Sequence, residues 1–144
     1  MKKNLLVILG IFIIIISSIY FLYSNYRKNI ILANKVNQEY ESYCQDEILG
    51  TSLMTLINKA TNQNEENNIQ KDSKNRYIQN DKNSIVIQVK FLESEEIFSM
   101  ESISLLGASE FIKNYNNKTF KCVQKEYHQK TKNISYMLFE EFSY

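Results

Sequence analysis

Proline and tryptophan are absent from this 144-residue chain; glycine occurs three times, cysteine twice and histidine once. Each scarcity removes something. With no proline, and no glycine between Gly10 and Gly50, nothing in the first third of the chain is an obvious helix breaker. Glycines at 10, 50 and 107 alone cannot build a glycine-rich phosphate loop. A single histidine, His128, excludes any centre that needs two. There is no HExxH, no CxxC and no GxSxG. A charge excess is missing as well: 17 Lys and Arg face 16 Asp and Glu.

What is present begins with LLVILGIFIIIISSIYFLY, residues 5–23, nineteen positions without a charge. As a helix this run is ~28 Å long, close to the ~30 Å of a bilayer's hydrocarbon. Only Ser17 and Ser18 are polar, and serine hydroxyls can bond back to helix carbonyls. Tyr20, Tyr23 and Tyr26 suit the headgroup layer, and Arg27 and Lys28 stop the run. A cleaved signal would have a shorter apolar core and a small-residue cleavage site, which SSIYFLYSNY does not offer. The segment therefore predicts a retained signal anchor over residues 1–28, with membrane lipid the partner of residues 5–23. Lys2 and Lys3 at one end nearly balance Arg27 and Lys28 at the other. The short lysine-bearing tail favours an N-terminus inside and a C-terminal domain outside the cytoplasm.

Residues 29–144 are expected to form one α+β domain. They carry 13 Lys and Arg against 16 Asp and Glu, a net charge of −3. That argues against nucleic acid, which requires a basic face. Leu32, Val36, Tyr40 and Tyr43 share a helix face, so the anchor helix is predicted to run on to about Cys44. A short helix follows over 52–61, capped by Thr51 or Ser52, with Leu49, Leu53, Leu56, Ile57 and Ala60 inward. Residues 61–76 read as a solvated loop. The period then changes to two: a short strand from Arg76, a turn at 80–83, and a strand with Ile85, Ile87, Val89 and Phe91 on one face. Glu93, Glu95 and Glu96 form a charged turn before a third strand at 97–103. Leu105, Ala108, Ile112 and Tyr115 mark a second amphipathic helix with Ser104 as its cap. The polar turn 129–132 joins a final hairpin whose second strand, apolar on both faces, belongs centrally in the sheet. The fold class is α+β: an N-terminal transmembrane helix extending into a mainly antiparallel sheet packed by helices.

Chemistry is hard to find. Cys122 and His128 fall on one strand face, but six strand residues span ~20 Å, far beyond contact between a nucleophile and its base. His128, beside a turn, reads as an exposed surface residue. Glu93, Glu95 and Glu96 read as a solvated turn, and Glu140 and Glu141 likewise. Cys44 and Cys122 read first as two small buried apolar side chains; outside the cytoplasm they can instead pair. The many asparagines reflect an AT-rich coding bias and are given little weight. No catalytic, cofactor or metal residue is assigned, and a non-enzymatic protein is expected. Gly10, Ser17 and Ser18 are candidates for close helix–helix contact.

MKKNLLVILGIFIII, with a basic start, Gly10 before an apolar run and a long helix continuing into a sheet domain, resembles type IV pilins and pseudopilins. The family's polar leader is replaced by LLVIL, and its glutamate five residues into the mature chain by Ile15. GTSLMTLINKA, NDKNSI and EYHQKT with LFEE resemble small uncharacterised signal-anchored proteins of clostridia-like bacteria. Both resemblances imply a bacterial cell-envelope location. The expectation is a single-pass cell-membrane protein with protein partners in the envelope, an accessory or structural subunit of a pilus-like or other surface assembly. The alternative is an extracytoplasmic ligand-binding or sensing module, with residues 61–76 or the sheet face holding the ligand.

Overall fold

The computed structural model describes residues 2–143, and for Lys2, Lys3, Leu5 and Leu6 the backbone alone. The flanking charges expected of Lys2 and Lys3, the first two side chains of the apolar run and the terminal Tyr144 lie outside the described residues.

A run of residues with no helix breaker folds as one rod. Helix α1 extends from Lys2 to Glu41 and closes in a 3-10 turn at Ser42–Cys44. The helix is not interrupted at SNYRKN, residues 24–29, and continues across the expected boundary at residue 28. Ser17 donates to the carbonyls of Ile13 and Ile14, and Ser18 to that of Ile14, so the two hydroxyls in the apolar run are satisfied within the helix. From Val7 to Tyr23 none of the other described residues buries α1. From Ala33 onward it is part of the core: Ala33, Asn37 and Tyr40 are buried, one face at spacings of four and three. Leu32, expected on that face, points to solvent.

The chain then makes β1 (Ile48–Leu49), α2 (Gly50–Glu66), β2 (Val86–Lys90), β3 (Ile97–Ser99), α3 (Met100–Leu106), α4 (Ala108–Tyr115), β4 (Thr119–Tyr127) and β5 (Ile134–Phe142). The strands form one sheet in the order β1-β4-β5-β2-β3. Every pairing is antiparallel except β2 with β5. The α+β class with a mainly antiparallel sheet is thus as expected, and β5 holds the central place its two-sided apolar pattern predicts. Ile85, Ile87, Val89 and Phe91 are all buried, as their alternation requires. They meet Leu53, Met54, Leu56, Ile57 and Ala60 of α2 in one core. Burying each of the larger side chains contributes roughly 1.5–3 kcal/mol. An aromatic cluster of Phe91, Phe98, Phe111, Tyr115 and Phe120 fills the end of the core near β1, with ring centroids 4.6–6.4 Å apart.

Two buried asparagines join helices to strands. Asn37 of α1 donates to the Lys132 carbonyl at 2.7 Å and accepts from the Ile134 amide at 2.8 Å. Asn64 of α2 does the same for both backbone groups of Ile85, at 2.7 and 2.8 Å. Each side-chain amide replaces a strand neighbour at the start of β5 or β2, satisfying backbone groups that would otherwise be buried unpaired. Discounting asparagine as coding bias was therefore wrong at these positions.

Several other expectations are corrected. Helix α2 runs to Glu66, five residues beyond the expected end, because Asn64 is a core contact and not part of a loop. Its N-cap position is Leu49, with no side-chain cap; Thr51 and Ser52 lie inside the first turn. Gly50 is needed there for close approach, since a Cβ would fall 2.0 Å from the Tyr115 carbonyl oxygen. Only one isolated bridge, Lys71 with Tyr77, stands where a strand from Arg76 was expected. Residues 80–84 are instead organised by Asn80, whose Oδ1 accepts from the amides of Lys82, Asn83 and Ser84. The third strand stops at Ser99, whose hydroxyl caps α3 by accepting from the Ser102 amide. Gly107, at φ +86°, divides the expected single helix into α3 and α4. That turn leaves Leu105 exposed and gives its place in the core to Phe111.

Cys44 and Cys122 are joined as a disulfide, with Cα atoms 5.0 Å apart. The first reading, two separate buried thiols, is overturned: the end of α1 lies against β4, which brings the sulfurs together.

Candidate functional site

A cleft of about 510 Å³ lies where α1 meets the sheet domain. Its helix wall is Tyr26, Asn29, Ile30, Ala33 and Val36, successive turns of one face. Its opposite wall is built from Gln63 and Asn67 of α2 and the connection after it, Asn83 and Ile85 before β2, Lys130, Thr131 and Asn133 before β5, and Ile134 at its start. The Asn37 and Asn64 amides set this geometry by holding the starts of β5 and β2 in place. Thr131 donates to the Lys82 carbonyl, tying the two loops of the far wall together.

The cleft is apolar at its base and polar at its rim. Ile30, Ala33, Val36, Ile85 and Ile134 supply the base. Asn29, Gln63 and Asn133 reach the rim with side-chain amides that form no hydrogen bond among the described residues. Lys130 is also there, paired with Asp81; that contact raises the ammonium's pKa and lowers the carboxyl's. Both groups are exposed, so the pair adds little to stability. Its volume falls within the range of clefts that hold small ligands.

Lys130 is the one charged residue among the described residues that line this cleft. At the other ends of β2 and β5, Lys90, Glu93, Glu95, Glu140 and Glu141 line a second, shallower cleft of about 340 Å³. Tyr26 lies three residues beyond Tyr23, where the apolar run stops.

No protein-family model, curated protein or solved structure matches the chain.

The residues weighed for catalysis are arranged for other work. Cys122 is bonded to Cys44, so its sulfur is no nucleophile. His128 is buried, not exposed as expected: its Nε2 lies 2.7 Å from the Ser84 carbonyl, and its backbone groups close the turn to Lys132 and Asn133. It ties the two loops at the cleft end of the sheet. Glu141 is likewise buried, accepting from the Leu92 amide at 3.2 Å and pairing with Lys118 at 3.1 Å. Lys118 has a raised pKa, first because of its hydrogen bond to Glu141. Glu140 is half-buried, and Glu93, Glu95 and Glu96 stand in the turn after β2. Of the polar run 61–76, only Gln63 and Asn67 reach the main cleft. Gly10 has nothing within contact of an added Cβ. Nothing in the sequence marked the cleft: its residues come from four separate segments and share no spacing.

A smaller recess of about 220 Å³ near Tyr77 contains Thr61, Glu65, Lys71, Glu101 and Ser104. Tyr77 donates its backbone amide to Glu101 at 3.0 Å and its hydroxyl to Glu65 at 3.2 Å, while Lys71 lies over its ring. The Thr61 and Ser104 hydroxyls are buried without a partner among the described residues. Water entering the recess would satisfy them.

Proposed function

We propose that this is a single-pass bacterial cell-membrane protein whose α1 anchors a small, non-enzymatic domain at the outer face of the membrane. It would serve as an accessory or structural subunit of a surface assembly. The observation that carries the proposal is the unbroken α1. One helix is long and apolar enough to cross a membrane, its apolar stretch is uncovered, and the same helix ends as a core element of the domain. The span and the domain therefore share one rigid element with no linker between them.

The Cys44–Cys122 disulfide supports an extracytoplasmic domain, since such bonds persist outside the reducing cytosol. The positive-inside balance alone is too even to choose. A long helix continuing into an antiparallel sheet also supports the pilin-like reading at the level of architecture. The second reading, a ligand-binding module, is supported by the apolar-based cleft with its unpaired amides.

The test is crosslinking in intact cells followed by identification of the captured partners, combined with thiol labelling from outside. A defined envelope complex, with both cysteines unlabelled until reduction, is the expected result. Full-length protein recovered soluble in cytosol with two free thiols refutes the proposal.

A further inference from the structure

We infer that the outer face of the sheet packs against the same face of a second copy of this chain, about a twofold axis running between β5 and β2. This names a partner within the surface assembly proposed above and rests on that reading. The core lies on one side of the sheet, where Ile87, Val89, Met137 and Phe139 are buried. The alternate residues point the other way: Val86, Gln88 and Lys90 of β2, and Tyr136, Leu138 and Glu140 of β5, all partly exposed. A sheet with one wet face ordinarily alternates apolar-in and polar-out. Strand β5 carries apolar side chains on both faces, and only one face is covered. Beside the uncovered face Leu92, Ile97 and Phe142 are 41–56% exposed.

Charge and symmetry select a second copy. Lys90 and Glu140 are opposite each other on β2 and β5, yet neither side chain has an ion-pair partner among the described residues. A twofold axis between those strands exchanges their positions. Each Glu140 then meets the partner's Lys90, and each Lys90 the partner's Glu140. The same axis sets Tyr136 over the partner's Val86 and Leu138 over the aliphatic stem of the partner's Gln88. An axis over β5 alone opposes Glu140 to its own copy, and one between β5 and β4 sets Tyr136 on Glu126 and Leu138 on Gln124. Tyr136 already donates to Gln88 at 2.8 Å, so covering its hydroxyl strands no donor.

The direction of the axis suits two copies in one membrane. Asn37 of α1 binds the start of β5, whereas Cys44, about two turns further on, is bonded to Cys122 opposite Phe139. Strand β5 thus advances in the same sense as α1, and rotation about that direction leaves both anchors side by side and pointing the same way. Strand spacing and rise give the face an area of roughly 450 Å² in projection, at the low end of what a specific dimer buries on each partner. Confinement to one bilayer raises the effective concentration of the second copy and offsets that small area.

Full-length protein labelled at its N-terminus is reconstituted at low density in phosphatidylcholine vesicles, and dimers are counted by stepwise photobleaching. Wild type should bleach mainly in two steps. Glu140→Lys and Lys90→Glu, which set like charges against each other, should each lower the dimer fraction about tenfold. The two changes combined restore opposite charges and should restore the dimer, a rescue that damage to the fold would not give. In a second measurement, light and heavy-isotope protein are co-reconstituted and treated with a carbodiimide. Glu140 of one isotope should be linked to Lys90 of the other. A carbonate-resistant protein that stays monomeric, single variants that dimerise like wild type, a double variant without rescue, or mixed-isotope links only at other surfaces each overturns the inference. Protein washed from the vesicles by alkaline carbonate instead overturns the anchored reading.

Discussion

Replacing Cys122 with serine, with the matching Cys44→Ser and the double variant, measures what the staple between α1 and β4 contributes. The bond closes a loop of 78 residues. In the chain-entropy treatment such a loop restricts the unfolded chain by about 15 cal/mol/K, or about 4.5 kcal/mol at 25 °C. Measured losses for native disulfides in small domains are typically 2–5 kcal/mol. With a urea dependence of about 1–3 kcal/mol per molar, a loss of about 4.5 kcal/mol lowers the unfolding midpoint by roughly 1.5–4.5 M. The assay is a urea titration of full-length protein in vesicles, read by hydrogen exchange of the β4 and β5 amides. All three variants, and reduced wild type, should agree within about 0.5 kcal/mol, because each deletes the same covalent link. Exchange should rise first at residues 40–44 and β1, where the bond secures the top of α1. The reasoning fails if each single variant unfolds at the oxidised wild-type midpoint. It also fails if intact mass shows that reduction adds no pair of hydrogens.

Tyr40→Phe should stabilise the domain by about 1 kcal/mol in the same titration, because the Tyr40 hydroxyl is buried without a hydrogen-bond partner. Burial, then the charges of Glu39 and Glu66, raises the Tyr40 pKa well above the ordinary tyrosine value. Its contribution is therefore fully present below about pH 10 and lost as the pH rises above that value; Tyr40→Phe should flatten this alkaline loss in a pH series of midpoints. Asn64→Leu should cost about 2–4 kcal/mol by leaving both backbone groups of Ile85 unpaired in the core. Its deprotection on hydrogen exchange should start at β2, and that of Asn37→Leu at β5. Arginine at both Ile13 and Ile14 should raise the insertion free energy by roughly 6–8 kcal/mol, enough to cancel the anchor's preference and release the protein from carbonate-washed membranes.

Local signals carried most of the fold. The nineteen-residue apolar run, the alternation from Ile85 to Phe91 and the turn at 129–132 each encode an element within a few residues, and each is present in the structure. Errors arose where a distant partner decides. Asn64 looks like loop composition until the Ile85 backbone is placed beside it. Glu141 looks solvated until Leu92 and Lys118 close over it. His128 looks exposed until Ser84 reaches its ring. The Cys44–Cys122 pair spans 78 positions and depends on how far α1 runs before turning. The cleft is least legible of all, since its walls join α1 to three segments whose meeting is a property of topology.

If the apolar run is lodged in a bilayer as proposed, an uninterrupted α1 reaching Glu41 makes the domain the far arm of a lever. Tyr23 to Glu41 is an arm of ~27 Å, so a 10° change of tilt swings the upper end sideways by roughly 5 Å. Membranes of unequal thickness would set the same head at different angles, converting a property of the lipid into a displacement that a neighbouring protein can feel.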